Sequence, residues 1–248
     1  MAKSSSKHSD PGATLDEIES WGERAIEWIG NNARAVLGAA VVLLILAAGY
    51  GYWSSSRGRA ESAAAEALET ARADYLAAMG AAPGAVEVPE LANPSAGEAI
   101  REEYIERFRQ VADEHPGTAG AALAQLEQGN LVAATGDVDA ALTVWHEAVA
   151  ALPGDAALAG LLQQRMGQAL EAREDWQAAA EAYESASAVP DYTFRYWAMA
   201  DAARCYALAD RPERAVALYV ELEQEAPDFE ITDYLRTRLR ELQATLQN

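Results

Sequence analysis

Residues 135–155 read TGDVDAALTVWHEAVAALPGD. Two breaks, Thr135-Gly136-Asp137 and Leu152-Pro153-Gly154-Asp155, enclose an uninterrupted alanine-rich stretch. Clusters of Gly and Pro are the strongest local punctuators of a helical pattern. Between them Ala141, Trp145 and Ala148 recur at helical spacing, with Gly129 on the preceding segment and Pro153 closing the unit. The order small, small, aromatic, small, proline returns at Gly167, Ala179, Tyr183, Ala186 and Pro190. It returns once more through Ala203, Tyr206, Ala215, Tyr219, Leu222 and Pro227. Ala141 to Ala179 is 38 residues and Ala179 to Ala215 is 36. Self-similarity at a period of roughly 20 to 50 residues marks stacked helix pairs rather than one closed core.

These positions match the tetratricopeptide repeat, whose unit is about 34 residues, with slightly longer helices or loops here. The small residues let the two helices of a pair approach closely, and the aromatic fills the gap to the next pair. Further breaks at His115-Pro116-Gly117, Val189-Pro190-Asp191, Asp210-Arg211-Pro212 and Ala226-Pro227-Asp228 keep the same rhythm. Alanine dominates, and runs of Val, Ile, Thr and aromatics are nearly absent, so the fold class is all-α: a tetratricopeptide-repeat-like α-solenoid over 98–248. A second-helix signature at Tyr104, Phe108, Val111 and Pro116 lacks an obvious first helix, unless the helix at 56–79 supplies it. Residues 233–246 form a last helix with Leu235, Leu239, Leu242 and Leu246 on one face, the expected cap of an open solenoid end.

Towards the N-terminus, GAAPGAVEVPELANPSAG at 80–97 reads as a Pro/Gly-rich loop. Before it, 56–79 repeats apolar positions at Ala64, Leu68, Ala71, Tyr75 and Met79 and predicts a membrane-proximal helix. Its predecessor is a run of twenty-two residues, Ala35 to Ser56, without an ionisable acid or base. About 20 such residues at about 1.5 Å rise cover a hydrocarbon core of ~30 Å, which predicts one transmembrane helix at 33–55. Tyr50, Tyr52 and Trp53 stand at its end as an interfacial belt. A cleaved signal peptide does not fit, because the segment before the run is long and acidic in its second half. Lys3, Lys7, Arg24 and Arg34 precede the run and Arg57, Arg59 and Arg72 follow it, a slight bias towards a cytoplasmic N-terminus. Leu15, Ile18, Trp21, Ala25 and Ile29 give an amphipathic juxtamembrane helix at 15–32, and 1–14 reads as a disordered cytoplasmic tail.

The chemistry that the chain lacks narrows its function. A net charge of −20 excludes the basic stripe that nucleic acid or an anionic lipid surface requires. Cys205 is the sole cysteine, so neither an intramolecular disulfide nor a cysteine metal cluster can form. His146-Glu147-Ala148-Val149-Ala150 begins like a zinc-protease helix, but Ala150 stands where the second ligand belongs. No nucleophile elbow, phosphate loop or dinucleotide fingerprint occurs. The expectation is a binding protein without catalytic residues, cofactor or metal.

A solenoid of helix pairs offers an inner groove lined by the first helix of each pair, a surface suited to extended or helical peptides. The groove positions are Leu123, Leu126 and Asn130, then Leu161, Gln164, Gln168 and Glu171, then Trp197, Arg204 and Leu208. Of these, Leu126, Asn130, Gln164, Gln168, Glu171, Trp197 and Arg204 are the candidate partner-binding residues. Apolar and amide groups dominate, and Leu126 occupies the place of a carboxylate-clamping lysine, which disfavours recognition of an acidic chain terminus.

The acidic amphipathic segment, the span ending in GYGYW followed by SSS and Arg57, the helix ending near Tyr75, and the run from Phe108 to Gly129 together resemble the YfgM family. The resemblance covers most of the chain from about residue 15 and is strongest near the span and at 104–153. It implies a single-pass protein of the bacterial inner membrane, N-terminus cytoplasmic and repeat domain periplasmic. It further implies association with the SecYEG translocon and the membrane-bound chaperone PpiD, and a chaperone-like role towards exported polypeptides. The N-terminal tail, the loop at 80–97 and the longer C-terminal part depart from the family. An envelope-assembly or cell-wall organiser and a cytoplasm-facing adaptor fit the same residues.

Overall fold

The computed structural model describes Trp28 and residues 32–82, 84–85, 87–152 and 156–247; at Ala33, Ala35, Val36, Ala39 and Ala40 it describes the backbone alone. The expected tail at 1–14 and nearly all of the amphipathic helix expected at 15–32 lie outside these residues, as does Pro153 of the first repeat. The described residues form helices without strands: α1 Ala33–Ala78, α2 Pro94–Glu114, α3 Ala119–Ala134, α4 Val138–Ala151, α5 Ala157–Ala172, α6 Trp176–Ser187, α7 Arg195–Leu208, α8 Pro212–Glu225 and α9 Asp233–Leu246.

The chain divides into two compact units, Met1–Gly58 and Arg59–Asn248. In the first unit, the described large side chains of α1 are all exposed, with Leu37, Val41 to Leu46, Tyr50, Tyr52 and Trp53 between 48% and 74% open. Tyr50 and Trp53 lie 6.1 Å apart between ring centroids, and the Arg57 guanidinium sits 5.4 Å from the Trp53 ring. Among the described residues no helix is long and apolar enough to cross a membrane. Ala35, Val36, Ala39 and Ala40 of the uncharged run are described by backbone alone. The span expected at 33–55 therefore rests on the sequence.

The second unit is a stack of antiparallel helix pairs, α3/α4, α5/α6 and α7/α8, in which each helix packs on the next. The first helices of successive pairs also touch, α3 on α5 and α5 on α7, which draws that side of the stack together and makes it the inner face. The residues Arg59–Ala78 of α1 supply the missing first helix for α2. Leu68, Ala71, Tyr75 and Met79 share one buried cluster with Phe108, Val111 and Ala112 of α2 and with Ala121, Ala124 and Leu131 of α3. The helix after the loop begins at Pro94, inside the segment 80–97 read as loop. Proline at the first helical position has no N–H to lose and its fixed φ suits the helix, so it starts α2 rather than ending the loop.

Two devices recur in the turns inside the pairs. The second helix is capped by an aspartate: Asp137 Oδ1 accepts from Ala140 N at 3.0 Å and Asp175 Oδ1 from Ala178 N at 3.3 Å, while α8 instead begins on Pro212. The preceding residue is left-handed in all three turns: Gly136 at φ +95°, Glu174 at +60° and Asp210 at +57°. The turn at Arg173–Asp175 escaped the sequence punctuation because it holds neither Gly nor Pro; Glu174 takes the position that glycine takes at 136. Asp175 N and Arg211 N then reach back to the carbonyls of Leu170 and Tyr206, at 3.0 and 2.9 Å, closing both turns. α9 covers the last pair with Leu235 and Leu239 buried and Leu242 half-buried, while Leu246 stays 43% exposed.

Candidate functional site

The small residues at the repeat positions fix how closely the helices approach, and thereby where the inner face lies. A β-carbon on Gly129 would meet Trp145 Nε1 at 2.2 Å, and one on Gly167 would meet the Tyr183 ring at 2.8 Å. Trp145 is 1% exposed and donates its indole N–H to the Leu126 carbonyl at 3.2 Å, which satisfies its one polar atom. Gly120 approaches the backbone of Ala64 in the same way, with 2.8 Å from its would-be β-carbon to the Ala64 carbonyl carbon.

The candidate groove residues fall into three groups. Leu126, expected to line the groove, is instead 7% exposed and belongs to the core cluster of Trp145, Leu162 and Met166. An apolar side chain at that register turns inwards where an ammonium group would turn out. Asn130, Gln164 and Gln168 reach the surface to different degrees, and each makes a side-chain hydrogen bond. Asn130 Nδ2 donates to Glu127 at 3.3 Å, Gln164 accepts from the Tyr192 hydroxyl, and Gln168 accepts from Arg165 at 3.0 Å. Glu171 and Arg204, on adjacent first helices, are brought together: Nη1 and Nη2 donate to the two carboxylate oxygens at 2.7 and 2.8 Å.

That pair is the centre of a polar knot. Tyr183 donates its hydroxyl to Glu171 at 2.9 Å, and Arg204 also donates to Asp201 at 3.0 Å. The Arg204 hydrogen bonds hold the Glu171 carboxyl below its ordinary value against the opposing effect of burial. Burial pushes Asp201 up, Arg204 opposing, and it pushes the neighbouring Cys205 thiol up to about 12. A second such link lies one pair outward, where Arg214 and the Tyr206 hydroxyl both donate to Glu184, the latter at 2.7 Å. Burial pushes Glu184 up, but these donors outweigh it and its carboxyl ends below the ordinary range. These groups lock one pair to the next and leave recognition to the side chains beside them.

Those side chains are apolar. Leu161 is 37% exposed, Trp197 52% and Leu208 54%, one from α5 and two from α7. Trp197 packs edge-on to Phe229 at 4.8 Å between centroids, which orients the indole while leaving half of it open. Leu208 and Arg204 border a cleft of about 400 Å³ closed on the far side by Tyr234 and Arg238 of α9. Tyr234 is 82% exposed. Tyr234 and Arg238 lie outside the residues expected from the sequence, because the leucine face of α9 marks it as a cap; the signal that the sequence holds is an aromatic and an arginine one turn apart beside that face.

A larger cavity of about 830 Å³ lies at the other end, among Tyr75 and Leu76 of α1, Phe108 of α2, Leu131 of α3 and the loop through Val88. It too went unforeseen, since it depends on where a loop of small residues settles. Among the described residues no group of three or more His, Cys, Asp or Glu is placed to hold a metal ion.

No family model and no curated protein matches this chain. Among solved structures it is similar to a protein of Podosopora anserina described as a candidate kinesin light chain with nearly identical TPR-like repeats. The identity is 17%, covering 60% of this chain and 90% of that chain, with a TM-score of 0.42. A point variant of the same protein is 19% identical, over 60% of this chain and 81% of that one, with a TM-score of 0.44.

Proposed function

We propose that this chain is a membrane-tethered scaffold that binds polypeptides along the inner face of its helix pairs and performs no chemistry. The observation that carries the reading is the row of open apolar side chains Leu161, Trp197 and Leu208. These residues stand on α5 and α7, first helices that touch each other, in a chain of net charge −20. Exposed apolar side chains gathered on one face are a mark of a contact surface, and half-open aromatics anchored by a neighbour lose little freedom on binding.

The tether is supported by the uncharged run from Ala35 to Ser56 and by the open apolar side chains from Val41 to Leu46, which suit a hydrocarbon surrounding. With Arg57 over Trp53, the end of the run has the aromatic and cationic makeup of a membrane interface. In this reading the N-terminus is cytoplasmic, the repeat domain is periplasmic, and the span tethers that domain to the bacterial inner membrane. Confinement raises the effective concentration near other membrane proteins, so weak contacts suffice. The resemblance to the YfgM family supports a station beside the SecYEG translocon and a PpiD-like chaperone, with exported polypeptides as cargo. Co-purification from mild detergent tests this. Recovery of translocon or chaperone subunits with wild type and their loss with Trp197→Asp is expected, and recovery of neither from wild type contradicts the reading.

A further inference from the structure

We infer that the cavity between α1, α3 and the loop after α1 is a second recognition site, which takes a bulky apolar side chain of a partner polypeptide flanked by lysine or arginine. At about 830 Å³ the cavity lies within the range of roughly 300 to 1,000 Å³ of built ligand sites. Its floor is Tyr75, Phe108 and Leu131, and its walls are kept open by alanines, among them Ala73 and Ala77 of α1. A helix that placed leucines at 73 and 77 would fill the space with its own side chains.

The rim selects the charge. Arg72 donates through Nε and Nη2 to Glu127, at 3.0 and 2.7 Å, and through Nη1 to Glu69 at 3.0 Å. Three of its five N–H donors are thus engaged, and among the residues lining the cavity two carboxylates face one guanidinium. The surplus negative charge lies towards Glu69, whose side chain is 71% exposed. A ligand bringing a carboxylate or phosphate meets like charge there, whereas an ammonium or guanidinium beside the apolar anchor meets its complement. The chain's net charge of −20 acts in the same direction at longer range.

A polypeptide is favoured over a free small molecule because the rim continues into the inner face. Glu127, which holds Arg72, also accepts from Asn130. The proposal therefore rests on the inner face being a polypeptide site, and it adds a side-chain preference at one end of it.

The test is fluorescence anisotropy with the full chain in phosphatidylcholine nanodiscs and a fluorescein-labelled peptide, Gly-Ser-Lys-Leu-Phe-Lys-Ser-Gly. Two control peptides replace both lysines by glutamates or Leu-Phe by Gly-Gly. Wild type is expected to bind the first peptide at least about tenfold more tightly than either control. Ala77→Trp, which fills the cavity from an exposed helix position, is expected to weaken that binding about tenfold or more, and Glu69→Lys, at an exposed site that leaves the fold intact, about fivefold. Gln177→Ala, at an exposed position on the second helix α6 and outside the inner face, is expected to leave it unchanged, while Leu208→Asp reads the far end of the inner face. Equal binding of the lysine and glutamate peptides, no binding by wild type, or unchanged binding by both Ala77→Trp and Glu69→Lys would overturn the proposal. Loss with Leu208→Asp alone would also overturn it, while sparing the broader reading of the inner face.

Discussion

The indole of Trp145 lies on the bare backbone of Gly129, so close that a β-carbon on that glycine would come within 2.2 Å of Nε1. Its N–H is spent on the Leu126 carbonyl, so ring and backbone fix each other's position. Gly129→Ala must push the ring out of a packed site and weaken that hydrogen bond. Overpacking of this kind costs about 1 to 3 kcal/mol, and loss in the upper half of that range is expected in urea unfolding. Gly58→Ala meets nothing within 4 Å and should instead leave stability unchanged or raise it by about 0.5 to 1 kcal/mol.

The left-handed turn residues separate conformation from contact. Glu174 holds φ +60° where the equivalent turn has Gly136, and its side chain is exposed. Glu174→Gly removes the strain of a side chain in that region and is expected to stabilise the chain by about 0.5 to 1 kcal/mol. A destabilised variant in thermal or urea unfolding would show that the carboxylate makes a contribution the backbone does not explain.

The Glu171–Arg204 link gives a pH dependence with a definite sign. Arg204 lowers the Glu171 pKa in the folded state, so the stabilisation is complete above the unfolded value of about 4.3 and is lost as pH falls through the folded one. Both side chains are about one-third exposed, which limits the effect. Glu171→Gln is expected to cost about 1 kcal/mol at pH 7 and progressively less than that below about pH 4. A difference from wild type that stays constant from pH 7 to pH 3 would contradict the assignment.

Cys205 is fully buried beside this link, and burial pushes its thiol up to about 12. The thiolate is the reactive species, so at pH 8 the native chain is expected to resist maleimide and to label fully in denaturant. Rapid labelling of the native chain would show that α5 and α7 separate readily.

The helix pairs are legible in the sequence wherever a break carries Gly or Pro, because those residues specify a turn by their own geometry. Arg173–Asp175 is not, since Glu174 adopts a glycine-like conformation that only the packing of α5 on α6 imposes. The position of Leu161, Trp197 and Leu208 on the first helices followed from repeat register, which also placed Leu126 there; its burial reflects a neighbour, Trp145, nineteen residues away. The meeting of Glu171 with Arg204 depends on how the pairs stack, and the cavity under the loop depends on where Gly80 turns the chain, with φ +79°. Neither leaves a local trace in the sequence.

The most direct test of a tethered polypeptide-binding face is photocrosslinking in intact cells, with benzoylphenylalanine placed at Trp197 or Leu208 on the inner face and at Gln177 on α6, a second helix. The account predicts polypeptide adducts from Trp197 and Leu208, recovered with the membrane fraction after alkaline extraction, and none of these adducts from Gln177. Identical adducts from all three positions, or a crosslinked chain released into the supernatant, would contradict it.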